Sequence, residues 1–457
     1  MDKKSPSFKV GSVDGHFLLG SLNDLRGDSL AFFDECGRHG DIVSFRLAYR
    51  RMYGLHHPDL VKEVLLTKHE SFVKKGIYSR VRPVFRNGLV TSMGDLWKRQ
   101  RRSIQPVFTQ RNMENMFSTT AREIYRYRSE LLDKADRGET VDVFKEMLFL
   151  TLGIMSATMF GDDVSDEREL ISEHIYFLNT FMKDSLYGLF PPLTFIPTRR
   201  NRRYGEAMRT LDGITQRIVK KRREADDFGT DFLGMLLSSR DPKTGERMSD
   251  RQVRDEALAF FIAGHETTAA GLSWTYYLLN EHRDARAEVE RCADSADLPD
   301  DPAELSFEQV KGNGFFERVF LESMRLYPPI YVTYREAAED VDLGGVRVRK
   351  GESVYVSPYV LNRDARFWKE PQVFDPDRFV DSEAAKNRFL FLPFGVGPRN
   401  CIGSHFAMME AQMVLAILGR SLCFETDEAL RPVPEPLITL KPRDPLRMRV
   451  VRRSGAG

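Results

Sequence analysis

The stretch that constrains this chain most is Phe394-Gly395-Val396-Gly397-Pro398-Arg399-Asn400-Cys401-Ile402-Gly403. Two glycines and a proline exclude regular helix or strand before Cys401. The run from Ser404 to Ala411 is helical in character, so Cys401 stands where a tight loop feeds a helix N-terminus. Free backbone N–H groups there favour an anion and predict a thiol readily held as thiolate, with Arg399 two residues back. That chemistry suits ligation of a metal cofactor. Taken alone, Cys401 also reads as a packed thiol at a helix start, the ordinary fate of a free cysteine.

A second motif lies in a helical pattern of about thirty residues from Arg251 to His282, at Ala259-Phe260-Phe261-Ile262-Ala263-Gly264-His265-Glu266-Thr267-Thr268. Gly264 costs ~1 kcal/mol there relative to alanine. The Thr267 hydroxyl can bond back to the carbonyl of Ala263 and open the helix into a notch. Small side chains at Ala259, Ala263 and Thr267 share a face that a flat cofactor could approach. Glu266 and Thr267 pair a carboxylate with a hydroxyl able to pass protons. The alternative is a core helix with a threonine face and a solvent-facing glutamate. His265 points off the notch face and reads as a structural neighbour.

Trp97 and Arg101 are four apart on a predicted helix, so an indole N–H and a guanidinium can address one carboxylate. An amphipathic surface helix has the same spacing. Lys98 and Arg102 occupy another face of it, turned by about 100°, suited to an acidic protein partner. Glu322 and Arg325 lie three apart in an apolar run, with Arg378 a candidate third member of a buried charge group.

Phe-x-x-Gly-x-Arg-x-Cys-x-Gly resembles the haem-binding loop of the cytochrome P450 superfamily, and Ala-Gly-x-Glu-Thr-Thr resembles its oxygen-activation segment. Glu322-x-x-Arg325 and Pro376-x-Arg378-Phe379 resemble its structural helix and the piece that follows. The resemblance implies a mainly α fold with small β-sheets, one large haem domain over residues 1–457. It implies heme b with Cys401 as the axial iron ligand, Phe394 and Ala263 against the cofactor, and Trp97, Arg101, Arg335 and Arg399 on its propionates. Thr267 and Glu266 would carry protons to dioxygen. The implied activity is a haem-thiolate monooxygenase that hydroxylates or epoxidises an apolar small molecule. A looser likeness to soluble bacterial terpene hydroxylases points to a terpenoid. A separate redox partner, a ferredoxin with its reductase, would supply electrons. The rivals are a haem-thiolate isomerase or dehydratase that uses no dioxygen, and a non-catalytic haem sensor. Specificity would come from residues 76–91, 175–197, 329–334 and 434–440, which carry Tyr78, Phe85, Phe177, Phe181, Phe190 and Phe195 among other apolar residues.

Composition narrows the rest. A net charge of +1 over 457 residues argues against nucleic acid as a partner. Four cysteines without a C-x-x-C spacing fit a reducing compartment rather than a zinc ribbon. The longest uncharged run, residues 147–161, is fifteen residues, short of the roughly 18 a spanning helix needs. The expectation is therefore a cytoplasmic protein without a transmembrane anchor. Further predicted elements include strands at 41–47 and 51–55, an aperiodic stretch at 71–91, one helix over 309–327 and a last helix at 404–421.

Overall fold

The computed structural model describes residues 7–453 apart from 109, 162–163, 225–230, 242, 313 and 427–428. Its axis is the 32-residue helix Asp250–Glu281, opened by a capping box in which Ser249 and Gln252 bond each other's backbone. At 1.5 Å per residue it runs for about 48 Å. It is buried on nearly every side, as its lack of a strong polar face requires. Two glycines set its neighbours. A Cβ on Gly264 would run into Met155 of helix Val143–Met155, and one on Gly271 would press on Phe320 of helix Phe315–Leu326. Gly264 therefore serves a helix crossing rather than the notch.

The last helix, Ser404–Ser421, has the predicted bounds and packs in the same core. Strands Val10–Ser12, Ile42–Leu47, Arg50–Leu55, Ser353–Val356, Thr333–Ala337 and Phe72–Val73 form a six-stranded sheet in that order. In it Arg335 lies opposite Val354. Leu422–Glu425, Arg447–Arg452 and Thr140–Asp142 form a second sheet, and Pro434–Pro436 pairs with Leu440–Pro442 as a hairpin. The expectation of a mainly α fold with small sheets holds. The helix predicted over 309–327 is two pieces, Phe307–Lys311 and Phe315–Leu326, because Gly312 (φ 47°) and Gly314 (φ 77°) take left-handed backbone. Helix Arg283–Ser295 was not anticipated.

Val143–Phe160 is apolar and long enough to cross a membrane by length and composition, yet 78% of it is buried inside the protein. It reads as a core helix.

Glu322 and Arg325 are fully buried and paired twice, Nε to Oε2 at 2.7 Å and Nη2 to Oε1 at 2.8 Å. Arg325 also donates to the carbonyls of Asn362 (2.8 Å), Pro371 (2.7 Å) and Val373 (3.1 Å), which fills its donor set. Arg378 reaches Glu322 at 3.4 Å as the expected third member. The group fastens the irregular segment that leads on to the cysteine loop.

Candidate active site

Gly395 (φ 69°) and Gly397 (φ 77°) make the cysteine loop possible. A Cβ on Gly397 would also collide with the carbonyl of Leu65. The loop closes with the Cys401 N–H donating to the Phe394 carbonyl at 2.8 Å. Cys401 is the exposed cysteine of the four, although protein surrounds it, so its thiol faces an internal cleft. Burial pushes this thiol up, against the pull of the Gly403 N–H and the charges of Arg101 and Lys74. Binding of a metal at this thiol would release its proton.

Four cations gather here. Arg399 stacks on Trp97, 3.9 Å from the ring centroid, and donates to the Ser92 carbonyl at 2.9 Å. Among the described residues its buried Nη1 has no partner. Arg101 holds the residue before the cysteine, donating to the carbonyl and side-chain oxygens of Asn400, both at 3.0 Å. The Arg399 guanidinium covers the face of the Trp97 indole, whose N–H lies in the ring plane. Arg335 is buried and bonds Thr333 Oγ1 at 3.0 Å and the Tyr334 carbonyl at 2.7 Å.

The fourth cation, Lys74, was missed in the sequence. It follows the two-residue strand Phe72–Val73, with its ammonium 4.6 Å from the centre of the Tyr78 ring. Burial first, then repulsion from Arg335 and Arg399, pulls it down to about 8. Burial, Arg335 and Arg101 push the Arg399 guanidinium down likewise. Among the described residues no carboxylate offsets Lys74, Arg101, Arg335 or Arg399. Buried like charges persist where an anion completes the group. The donor set fits a porphyrin carrying two carboxylates, with a thiol for its metal.

The central helix meets this assembly through Phe108, which stacks on Phe260 and lies beside Gly403, and through Thr268, whose hydroxyl meets Glu410 of the last helix. The Thr267 hydroxyl donates to the Ala263 carbonyl at 2.9 Å, as predicted. Ala263 and Thr267 stay partly exposed, whereas Ala259 is covered by Gly88. Glu266 is buried and turns away from Thr267. It accepts from Thr439 at 2.7 Å and from Asn179, and burial raises its carboxyl. The solvent-facing alternative for Glu266 is thereby excluded. His265 is buried with Nδ1 2.8 Å from the Phe261 carbonyl, a structural neighbour as expected.

Two expectations are corrected. Arg102 is committed to the buried Asp241 at 2.9 Å, so half of the proposed basic docking face is structural. Phe85 and Phe181 are buried, but Phe190 and Phe195 stand exposed rather than in the interior.

A cysteine in a glycine loop, a core helix whose Thr267 hydroxyl bonds back to Ala263, and cations without a carboxylate among the described residues define a site of the haem-protein class. The chain belongs to the cytochrome P450 family: the family model described as Cytochrome P450 matches residues 11–448. It is 32% identical to cyclooctatin synthase of Streptomyces melanosporofaciens, over 95% of this chain and 92% of that protein. It is 31% identical to pentalenene oxygenase of Streptomyces avermitilis, over 98% of each. The solved heme domain of cytochrome P450DA superposes with a TM-score of 0.84 at 25% identity, covering 98% of this chain and 99% of that one. The chain is accordingly a cytochrome P450 oxidoreductase that uses haem.

Proposed function

We propose that this chain is a single-domain haem-thiolate monooxygenase that places one oxygen atom on an apolar terpenoid, by hydroxylation or epoxidation. The observation that carries the reading is the carboxylate-free group of Lys74, Arg101, Arg335 and Arg399 around Cys401. When bound, haem supplies dioxygen binding and its activation by two electrons. Cys401 holds the iron as thiolate. Lys74, Arg335 and Arg399 hold the propionates, and Arg101 fixes the cysteine loop through Asn400. Trp97 keeps Arg399 in place, Phe394 closes the loop against Cys401, and Ala263 leaves room beside the notch. Thr267 orders the proton path, and Glu266 serves as its reservoir, a carboxyl that Asn179 and Thr439 keep in one orientation. The names of the relatives support an isoprenoid hydrocarbon or its alcohol as substrate. Electrons come from a ferredoxin and its reductase in the cytoplasm.

Turnover with isotopically labelled dioxygen tests this. A panel of cyclic terpenes, supplied with ferredoxin and reductase, should yield a product with one labelled oxygen atom. A product formed without dioxygen, or carrying oxygen from water, would favour the isomerase or dehydratase reading instead.

A further inference from the structure

Residues 86–92 join the short helix Arg82–Phe85 to helix Gly94–Ile104, which carries Trp97 and Arg101. The segment opens on Arg86 at φ 51° and ψ −131°, a backbone that residues other than glycine rarely adopt and that persists where the surroundings impose it. Here they do. The Arg86 guanidinium pairs with Asp212 of helix Arg199–Glu224, and the Arg86 carbonyl accepts from Thr91 Oγ1 at 2.7 Å. Gln100 donates to the Asn87 carbonyl at 2.7 Å. The Val90 carbonyl accepts from Lys74 at 3.3 Å, and that of Ser92 from Arg399 at 2.9 Å. Two of the cations around Cys401 thus hold one end of the segment.

The central helix holds its middle. The Leu89 N–H donates to Glu256 Oε2 at 2.8 Å. Glu256 is completely buried, and among the described residues its Oε1 has no partner. A carboxyl is costly to bury, yet the polar contact this one makes is with a backbone amide 167 residues away in sequence. Burial pushes the carboxyl up to about 8, so at neutral pH it accepts that N–H as an uncharged acid.

Glu256 stands two helical turns before Ala263 and three before Thr267, on the face that carries both. Beside it, Gly88 lies so close to the helix that a Cβ there would come within 2.5 Å of the Ala259 Cβ and 2.9 Å of the Asp255 carbonyl oxygen. Leu89 and Val90, both partly buried against the core, are thereby set between that helix face and the cation group.

We propose that Glu256 is a positioning residue that decides which carbon of the substrate is oxidised: its buried carboxyl fixes Leu89, and with it Val90, as one wall of the space beside Ala263 and Thr267. The effect on the product rests on the monooxygenase reading, whereas the fastening of the segment does not.

Hydrogen–deuterium exchange of the haem-loaded full chain, read by mass spectrometry on peptides covering residues 86–92, tests the fastening. Glu256→Leu leaves the Leu89 N–H without an acceptor and should speed exchange of this segment about tenfold, the scale of one lost hydrogen bond. Glu256→Gln keeps a neutral acceptor of similar shape and should exchange like the wild type. Gly88→Ala pushes the segment off Ala259 with Glu256 intact; it should speed exchange too, and it carries the test if Glu256→Leu fails to fold. Turnover of a cyclic terpene gives the second readout. Glu256→Leu and Gly88→Ala should shift the ratio of positional product isomers about tenfold, the scale of one methylene in a pocket wall. Glu256→Gln should restore it, with haem content and the thiolate spectrum at wild type in all three. Wild-type exchange in both Glu256→Leu and Gly88→Ala, or exchange in Glu256→Gln as fast as in Glu256→Leu, overturns the proposal. So does an unchanged isomer ratio in variants whose segment exchanges faster. No oxygenated product from the wild type overturns the monooxygenase reading instead, and the exchange rates still decide the fastening.

Discussion

Arg325→Met is expected to remove a large part of the stability of this protein. The side chain is completely buried and carries two bonds to Glu322 and three to backbone carbonyls. Methionine has a similar length but no donor. It would leave a buried carboxylate with Arg378 at 3.4 Å and the Asp375 N–H at 3.0 Å as its remaining partners. Breaking a buried pair on one side costs about 3–5 kcal/mol, against a total of roughly 5–15 kcal/mol for a folded domain. Urea unfolding should show the loss, and haem retention should fall with it as residues 371–375 come free. Arg347→Met, which breaks the exposed pair with Asp340, is the internal control and should leave the midpoint unmoved. Equal midpoints for the two variants would show that the buried group does not hold the fold.

Thr267→Ala should act on chemistry and leave the fold alone. Its hydroxyl bonds a carbonyl, that of Ala263, which keeps its own helical amide partner. Haem content, melting temperature and substrate affinity should therefore stay near wild type. Product formed per electron pair should drop roughly tenfold or more, the scale of a lost proton-transfer group, and hydrogen peroxide should take its place. Thr267→Ser, which keeps the hydroxyl, should retain most of the coupling. Wild-type coupling in Thr267→Ala would remove this residue from the proton path.

What could be read from the sequence was local. Gly395, Gly397 and Pro398 allow few backbones, so the loop before Cys401 was legible. Thr267 bonding back to Ala263 is a four-residue relation and was legible too, as were the pair Glu322–Arg325 and the bounds of the last helix. What escaped depends on contacts through space. Asn179 and Thr439 reach Glu266 from 87 and 173 residues away. Lys74 sits in an aperiodic stretch where nothing marks a lysine as inward-facing. Gly264 gives no local sign of a helix crossing, which only the position of Met155 reveals. Phe190 and Phe195 looked like cavity lining by composition. Arg80, which donates to the carbonyls of Ser185, Gly188 and Phe190, acts from a residue with no local sign of that role.

The central claim is that Cys401 is the thiolate ligand of a haem held by cations without carboxylate partners. The absorbance spectrum of the reduced, carbon monoxide-bound protein tests it most directly. The wild type should show the red-shifted band of a thiolate-ligated haem, and serine at Cys36, Cys292 or Cys423 should leave that band in place. Cys401→Ser should abolish it, because a hydroxyl is not ionised at neutral pH. A red-shifted band that survives in Cys401→Ser, or is absent from the haem-loaded wild type, would contradict the account.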